Sequence, residues 1–331
     1  MPLTAIQLED LQAEYLADDV TIDFERMSLW SEAQARTYFE SGGQDPVNTT
    51  PAPSFTRGGN APTGTTPWLR CLQKKPSARF RCIVFNWTGN RGGQGSAHNI
   101  SRAPCNWSQS LSDFEVYEVA LPGRGTRMKD VLCKDARTLV KQIAEACAKA
   151  LSGGTAYAFV GFSFGSIIAW EVALAINESH AGEGPALVVA ASAEGPSWPQ
   201  RAGTQHALDE SQFQAMLRGK GGTDFILKDP GMTKMYVPVI RADMQLEETY
   251  VPLLPERCVC VPIFAFFGEK PGRDKEATRV SRDDASLWLA ATHEKTTSCI
   301  VPIAESDWYL FQDEKAVRAL HEMLCKYFDA L

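Results

Sequence analysis

Residues 157–170 read Tyr157-Ala-Phe-Val-Gly161-Phe162-Ser163-Phe164-Gly165-Ser-Ile-Ile-Ala-Trp170. An apolar strand pattern passes through Gly-x-Ser-x-Gly into a helical pattern. A strand-to-helix turn this tight accepts only small residues at the two glycines and holds the serine in a strained backbone conformation. It lifts the Ser163 hydroxyl above the sheet end, at the N-terminus of the following helix. There the amide of Phe164 can stabilise an oxyanion. Gly-x-Ser-x-Gly alone arises often by chance; the strand before it and the helix after it make it specific.

Outward from this segment, short apolar runs alternate with helical stretches from Trp68 onward. Strands are predicted at Trp68–Leu72, Arg81–Asn86, Phe114–Ala120, Tyr157–Val160, Leu187–Ala191, Ile263–Phe267 and Cys299–Ile303. Helices are predicted at Asp135–Leu151, Ser166–Ile176 and Glu314–Ala330, the first and last with apolar residues spaced for one face. Continuous apolar strands between helices imply an α/β fold with a mostly parallel sheet flanked by helices. Residues 204–250 break the alternation with helical patterns only, as a lid insertion would. Residues 1–42 read as a helical extension, with one helix over Ala5–Leu16 and a second after an N-cap at Ser31. Residues 43–67, rich in Gly, Pro, Thr and Ser, read as a linker.

The chain has 331 residues, 44% of them hydrophobic, and a net charge of −7. An acidic chain has no global attraction to nucleic acid or anionic membrane. No run of 18 apolar residues occurs, so no membrane-spanning helix is expected. The acidic N-terminus lacks the basic start and apolar stretch of a secretory signal, which points to the cytoplasm. Nine cysteines without paired or zinc-finger spacing read as reduced thiols; six of them, including Cys71, Cys258, Cys260 and Cys299, lie in apolar runs that predict burial. Neither metal nor organic cofactor is called for.

The loop after the second strand, Phe85-Asn-Trp-Thr88-Gly89-Asn-Arg-Gly-Gly93, is glycine-rich and offers Thr88 and Gly89 as second oxyanion donors. A phosphate cradle is the competing reading, weakened by the absence of Gly-x4-Gly-Lys-Ser/Thr. Four strings in order resemble the type II thioesterases that act beside fatty-acid, polyketide and nonribosomal-peptide synthases. They are Phe85–Gly89, Leu121-Pro-Gly-Arg124-Gly-Thr-Arg127, Gly161–Ala173, and Pro238-Val-Ile-Arg-Ala-Asp243 with Glu248-Thr-Tyr250. The resemblance runs from about Trp68 to the C-terminus and implies an α/β-hydrolase fold. It also implies release of acyl groups from phosphopantetheine thioesters on an acyl carrier protein or acyl-CoA, with a synthase as partner.

The same resemblance assigns a catalytic acid to Asp274, with Glu269 as runner-up. It places Asp307, in Glu305-Ser-Asp307-Trp-Tyr-Leu310, where the family has its histidine. A carboxylate of ordinary pKa is a feeble base at neutral pH, and a serine needs a base. The five histidines each read as structural by default. His98 in the oxyanion-side loop and His206 at the start of the lid are the two candidates for a replacement base. His180 lies in a solvated loop, His293 at a surface end and His321 on the flank of the last helix. Met232, Met235, Tyr236 and Met244, with Met216, suit a lid over a flexible acyl chain, or ordinary lid packing. Arg124 and Arg127 face a similar choice between carrier phosphate and local hydrogen bonds. A relocated base, slow residual catalysis and a non-catalytic acyl- or carrier-binding module all remain open, as does an esterase or acyltransferase.

Overall fold

The computed structural model describes residues 35–36, 38–39, 66–73, 75, 77–86, 111–151, 155–179, 184–198, 203–220, 223–252, 257–270, 280–306 and 314–331. The chain divides into two units, Met1–Ala52 and Pro53–Leu331, at a point inside the stretch read as a linker. In the first, residues 35–36 and 38–39 are helical, and the rings of Tyr38 and Phe39 meet edge-on at 5.5 Å. The expected helix over Ala5–Leu16 and the N-cap at Ser31 lie outside the described residues.

The second unit is built on seven strands: β1 (Leu69–Gln73), β2 (Phe80–Phe85), β3 (Phe114–Val119), β4 (Tyr157–Phe162), β5 (Leu187–Ala191), β6 (Ile263–Lys270) and β7 (Cys299–Ser306). Their order in the sheet is β1-β3-β2-β4-β5-β6-β7. Every neighbouring pair is parallel except the edge pair β1–β3. Each strand was expected within a few residues; the antiparallel direction of β1 was not legible, because direction is set by its partner.

Successive side chains of the central strands enter opposite cores, as the period of two requires. Ile83, Phe85, Tyr157 and Phe159 face helices α1 (Ala136–Leu151) and α2 (Phe164–Ser179). Cys82, Val84, Ala158 and Val160 face Val317, Leu320, Leu324 and Phe328 of the last helix, Glu314–Ala330. There the Phe328 ring stacks on Phe80 at 4.6 Å and meets Phe114 edge-on. α2 is buried around nearly its whole circumference, as its continuous apolar sequence demands.

Between β5 and β6 lies the helical insertion. A 3-10 turn at Gln205–Ala207 leads into α3 (Glu210–Lys220), α4 (Asp224–Leu227) and α5 (Pro230–Glu248). The Asp229 carboxylate caps α5 by accepting from the amides of Gly231 and Met232, and Pro230 occupies the first helical position. Pro238, inside this helix, lies on its exposed side, so the carbonyl its missing N–H frees can turn to water. The insertion has its own apolar centre of Phe213, Leu217, Ile226, Val237, Ile240 and Met244. After β6 come α6 (Arg282–Ser286) and a 3-10 turn at Leu287–Ala291, before β7 and the last helix, α7 (Glu314–Ala330). Among the described residues, no helix is long and apolar enough to cross a membrane.

Two buried polar contacts tie α5 to the sheet layer. Arg124, in the loop after β3, donates from Nη1 to Asp243 Oδ2 at 2.6 Å and from Nη2 to Oδ1 at 2.5 Å. Both side chains are about 5% exposed. At the far end, the Tyr250 hydroxyl donates to Glu171 of α2 at 2.5 Å, and its ring meets Phe164 edge-on. Arg124 and Arg127 both make local contacts: the Arg127 guanidinium lies 3.9 Å above the Trp68 ring and donates to Ala120 O. The cysteines differ in part from the sequence expectation. Cys82 and Cys147 are buried, but Cys71, Cys258, Cys260 and Cys299 are only half-buried, because they lie on the edge strands β1 and β7 and in the loop before β6. Eight cysteines are described, all as free thiols.

A buried charge that loses its partner is strongly destabilising, whereas an apolar pair of similar volume is not. Asp243→Asn or Arg124→Met alone is therefore expected to lower unfolding stability by about 3–5 kcal/mol. The double variant Arg124→Met/Asp243→Leu should recover most of that loss, read by urea unfolding of the three variants against the native chain.

Candidate functional site

β4 ends at Phe162 and α2 begins at Phe164, so Ser163 is the single residue between strand and helix. Its φ is +48°, in the left-handed region that non-glycine residues seldom adopt. The turn is pinned on both sides of the serine. Ser163 N donates to Ala191 O of β5 at 2.8 Å, and Ser166 N donates to Ser163 O at 2.9 Å. The Ser166 hydroxyl, fully buried, accepts from the Ala191 amide at 3.1 Å.

The two glycines are required by close approach. A Cβ on Gly161 would stand 2.2 Å from Ser166 Cα, and one on Gly165 would stand 2.5 Å from the carbonyl oxygens of Phe85 and Asn86. Helix α2 thus sits directly against the end of β2, where the glycine-rich loop departs. Its N-terminal amides face the same end of the sheet as Ser163. That gives a positive helix end beside a partly exposed hydroxyl, suited to a developing negative charge.

A small apolar pocket opens beside the elbow, with about 390 Å³ of non-atom space, part of it open to solvent. Phe164, Gly165 and Ile168 of α2, Val119 and Leu121 around the end of β3, Leu139 of α1 and Leu246 of α5 wall it. Asn86 and Asp243 are the polar residues of its wall. Ser163 itself is not in the wall; its two successors are. Asn86 donates from Nδ2 to Glu118 at 2.7 Å, and Glu118 also accepts from Arg70 across the β1–β3 pair. The Oδ1 of Asn86 is buried and has no hydrogen-bond partner among the described residues. This chain from Arg70 through Glu118 to Asn86 fixes the end of β2. Sequence reading missed it, since only strand register brings the three together. It also missed Ser192, which follows β5 with φ +51° and donates its amide to Phe266 O; no sequence signal marks it.

The structure places the nominated residues unevenly. Ser163 and Phe164 are together at the elbow. Thr88, Gly89, His98, His180, Asp274 and Asp307 lie outside the described residues. Glu269 is an exposed residue of β6, which runs further than expected, and the register with β7 shifts between Gly268 and Lys270. His206 is held on the insertion: its Nδ1 is 2.7 Å from Glu248 Oε2, its amide donates to the same oxygen, and its carbonyl accepts from Arg241. Met244 is buried in the insertion's own apolar centre, and Met216, Met232 and Tyr236 pack against that centre. Met235 is 45% exposed. None of these five lines the pocket beside the elbow. His293 is exposed on the connection after α6, donating its amide to Val259 O.

The family model for the thioesterase domain matches residues 103–325, which span the elbow, the helical insertion and most of the last helix. This chain belongs to the thioesterase family. The medium-chain S-acyl fatty acid synthase thioesterase of Rattus norvegicus is 30% identical over 207 residues, covering 61% of this chain and 74% of that protein. Gramicidin S biosynthesis protein GrsT of Aneurinibacillus migulanus is 27% identical over 261 residues, 78% of this chain and 93% of its own length. Among solved structures, the type II thioesterase BorB of the borrelidin biosynthetic cluster superposes with a TM-score of 0.60 at 22% identity, covering 80% of this chain and 97% of its own. YbtT, the type II thioesterase of the yersiniabactin pathway, gives 0.65 at 17% identity over 80% of this chain and 98% of its own. The fold is that of the α/β-hydrolases, and the activity class is thioester hydrolysis.

The close approach at the elbow makes a direct comparison between glycines. Gly165→Ala forces a methyl group onto two carbonyl oxygens and is expected to cost about 1–3 kcal/mol. Gly219→Ala, where nothing lies within 4 Å of the added carbon, should instead stabilise α3 by roughly 0.5–1 kcal/mol. Thermal unfolding of the two variants, with labelling of Ser163 by a fluorophosphonate, reads both effects; labelling should fall only in Gly165→Ala.

Proposed function

We propose that this thioesterase releases acyl groups from phosphopantetheine thioesters presented by an acyl carrier protein or by CoA, in the service of a fatty-acid, polyketide or peptide synthase. The observation that carries the reading is Ser163 at φ +48° on the N-terminus of α2, beside an apolar pocket walled on one side by the helical insertion. The names of the relatives support the substrate class and the partner.

In this reading Ser163 Oγ attacks the thioester carbonyl. The carbon–sulfur bond breaks, the pantetheine thiol leaves with a proton, and the acyl group stays on the serine. The amide of Phe164, with Thr88 and Gly89, holds the oxyanion. Water then attacks the acyl-enzyme and frees the carboxylic acid. Asp274 is the acid of the constellation. Asp307 stands at the family's histidine position, where a carboxylate takes the serine proton poorly, so turnover is slow. Residual catalysis from oxyanion stabilisation is expected even with a weak base. The domain roles follow: residues 68–331 form the hydrolase, with 204–250 as lid, 43–67 as linker and 1–42 as an extension, in the cytoplasm.

One observation favours a second reading of the base. Glu248 at Nδ1 of His206 fixes the ring tautomer and leaves Nε2 as a proton acceptor, the arrangement a catalytic histidine needs.

The test is hydrolysis of a panel of acyl-pantetheine thioesters by the native chain and by Ser163→Ala, Asp307→His and His206→Ala. Slow native turnover that vanishes in Ser163→Ala, and rises by about 10²–10⁴ in Asp307→His, is the expected result. Turnover unchanged in Ser163→Ala overturns the proposal. Turnover lost in His206→Ala and unmoved in Asp307→His transfers the base to His206.

A further inference from the structure

At the opposite end of the sheet from Ser163, three metal-ligand types converge. Asp113 lies immediately before β3, at the N-terminal end of the parallel strands, whereas the serine follows the C-terminal end of β4. His321 and Cys325 are one turn apart on α7, so their side chains share a face. His321 Nε2 is 3.1 Å from Asp113 Oδ2. Cys325 Sγ is 3.3 Å from the same Nε2 and 3.8 Å from the same Oδ2. The three atoms form a compact triangle of one oxygen, one nitrogen and one sulfur, each half-buried and reachable from solvent.

A catalytic relay would place the carboxylate and the thiol on opposite ring nitrogens of the histidine. Here both meet Nε2, so the cluster is not an acid–imidazole–thiol triad. A redox sensor needs an acidic thiol; burial, with the charges of Asp113 and Asp329, pushes the Cys325 thiol up to about 11. The separations instead lie within about 0.3 Å of one face of a tetrahedron of zinc ligands. Ligand bonds of about 2.0–2.3 Å to zinc put neighbouring donor atoms roughly 3.4–3.6 Å apart.

We propose that Asp113, His321 and Cys325 bind a zinc ion that fastens the last helix to the entrance of β3. A mixed thiolate, imidazole and carboxylate set favours zinc over magnesium or calcium. On binding, Cys325 gives its proton to solvent as the sulfur–zinc bond forms, and His321 ligates as neutral imidazole. Water fills the fourth position. Arg79 lies 3.8 Å from the other carboxylate oxygen of Asp113 and is paired with Asp329. The Ser112 hydroxyl donates to Asp113 Oδ2 at 3.2 Å, and Lys75 is engaged with Leu111 O.

The experiment titrates the full chain, stripped with chelator and kept reduced, with Co²⁺ and then Zn²⁺. The expected result is one Co²⁺ per chain with a near-ultraviolet thiolate-to-cobalt band that zinc bleaches. The band is absent in Cys325→Ser and retained in Cys299→Ser. Affinity should fall at least about tenfold in Asp113→Asn and His321→Ala. Zinc at a hundredfold excess over Kd should raise Tm by about 5 °C. Because a variant on α7 can fail to fold, the native chain is also alkylated with and without zinc, and zinc should protect Cys325. A native chain without the band, a band that survives in Cys325→Ser, or Cys325 alkylated equally in both conditions overturns the proposal.

Discussion

The direct seating of α2 against the ends of β2 and β4 is the constraint on which the rest of this protein depends. A helix can approach two strands this closely only if the contact positions carry no side chain, and Gly161 and Gly165 supply that. The approach leaves one residue to turn the chain from strand to helix, and Ser163 takes it at φ +48°. The strain is held by neighbours: the carbonyl of Ala191 fixes one side of the turn and the Ser166 amide the other. An isolated peptide of this sequence would have no reason to hold that conformation. The surrounding sheet over-determines it, which is how backbone strain persists at functional sites.

The same constraint organises the surroundings of the serine. Because α2 is seated on β2, its first turn walls a pocket whose other sides are β3, α1 and the helical insertion. The insertion is held over that pocket by a bidentate Arg124–Asp243 pair at one end and the Tyr250–Glu171 hydrogen bond at the other. Both contacts are buried, and both join segments that sequence reading had picked out separately. The described parts of the four strings that carry the family resemblance are therefore one physical unit. The loop after β3 grips the insertion, the insertion grips α2, and α2 abuts the end of β2 at Phe85 and Asn86.

Fold and elbow were legible because their signals are local. Apolar runs of strand length, helical spacing in 136–151 and 314–330, and Gly-x-Ser-x-Gly between strand and helix each report on neighbouring residues. The helical insertion was legible as an interruption of that alternation. Its chemistry was less so: Met232, Tyr236 and Met244 serve the insertion's own apolar centre, and Leu246 and Asp243 reach the pocket instead. Helical spacing gives a face, but not which of two apolar layers that face meets.

The sequence by itself determined the strands, the main helices and the elbow serine, because each is a property of residues adjacent in the chain. Tertiary structure decided the antiparallel edge of β1, the partners of Arg124 and Arg127, the anchoring of Asn86 through Glu118 and the pairing of His206 with Glu248. It also brought Asp113, His321 and Cys325 together, where cysteine spacing had given no sign of a metal. Those contacts join residues tens to hundreds of positions apart. Their meeting is fixed by strand register and helix packing, which no local pattern encodes.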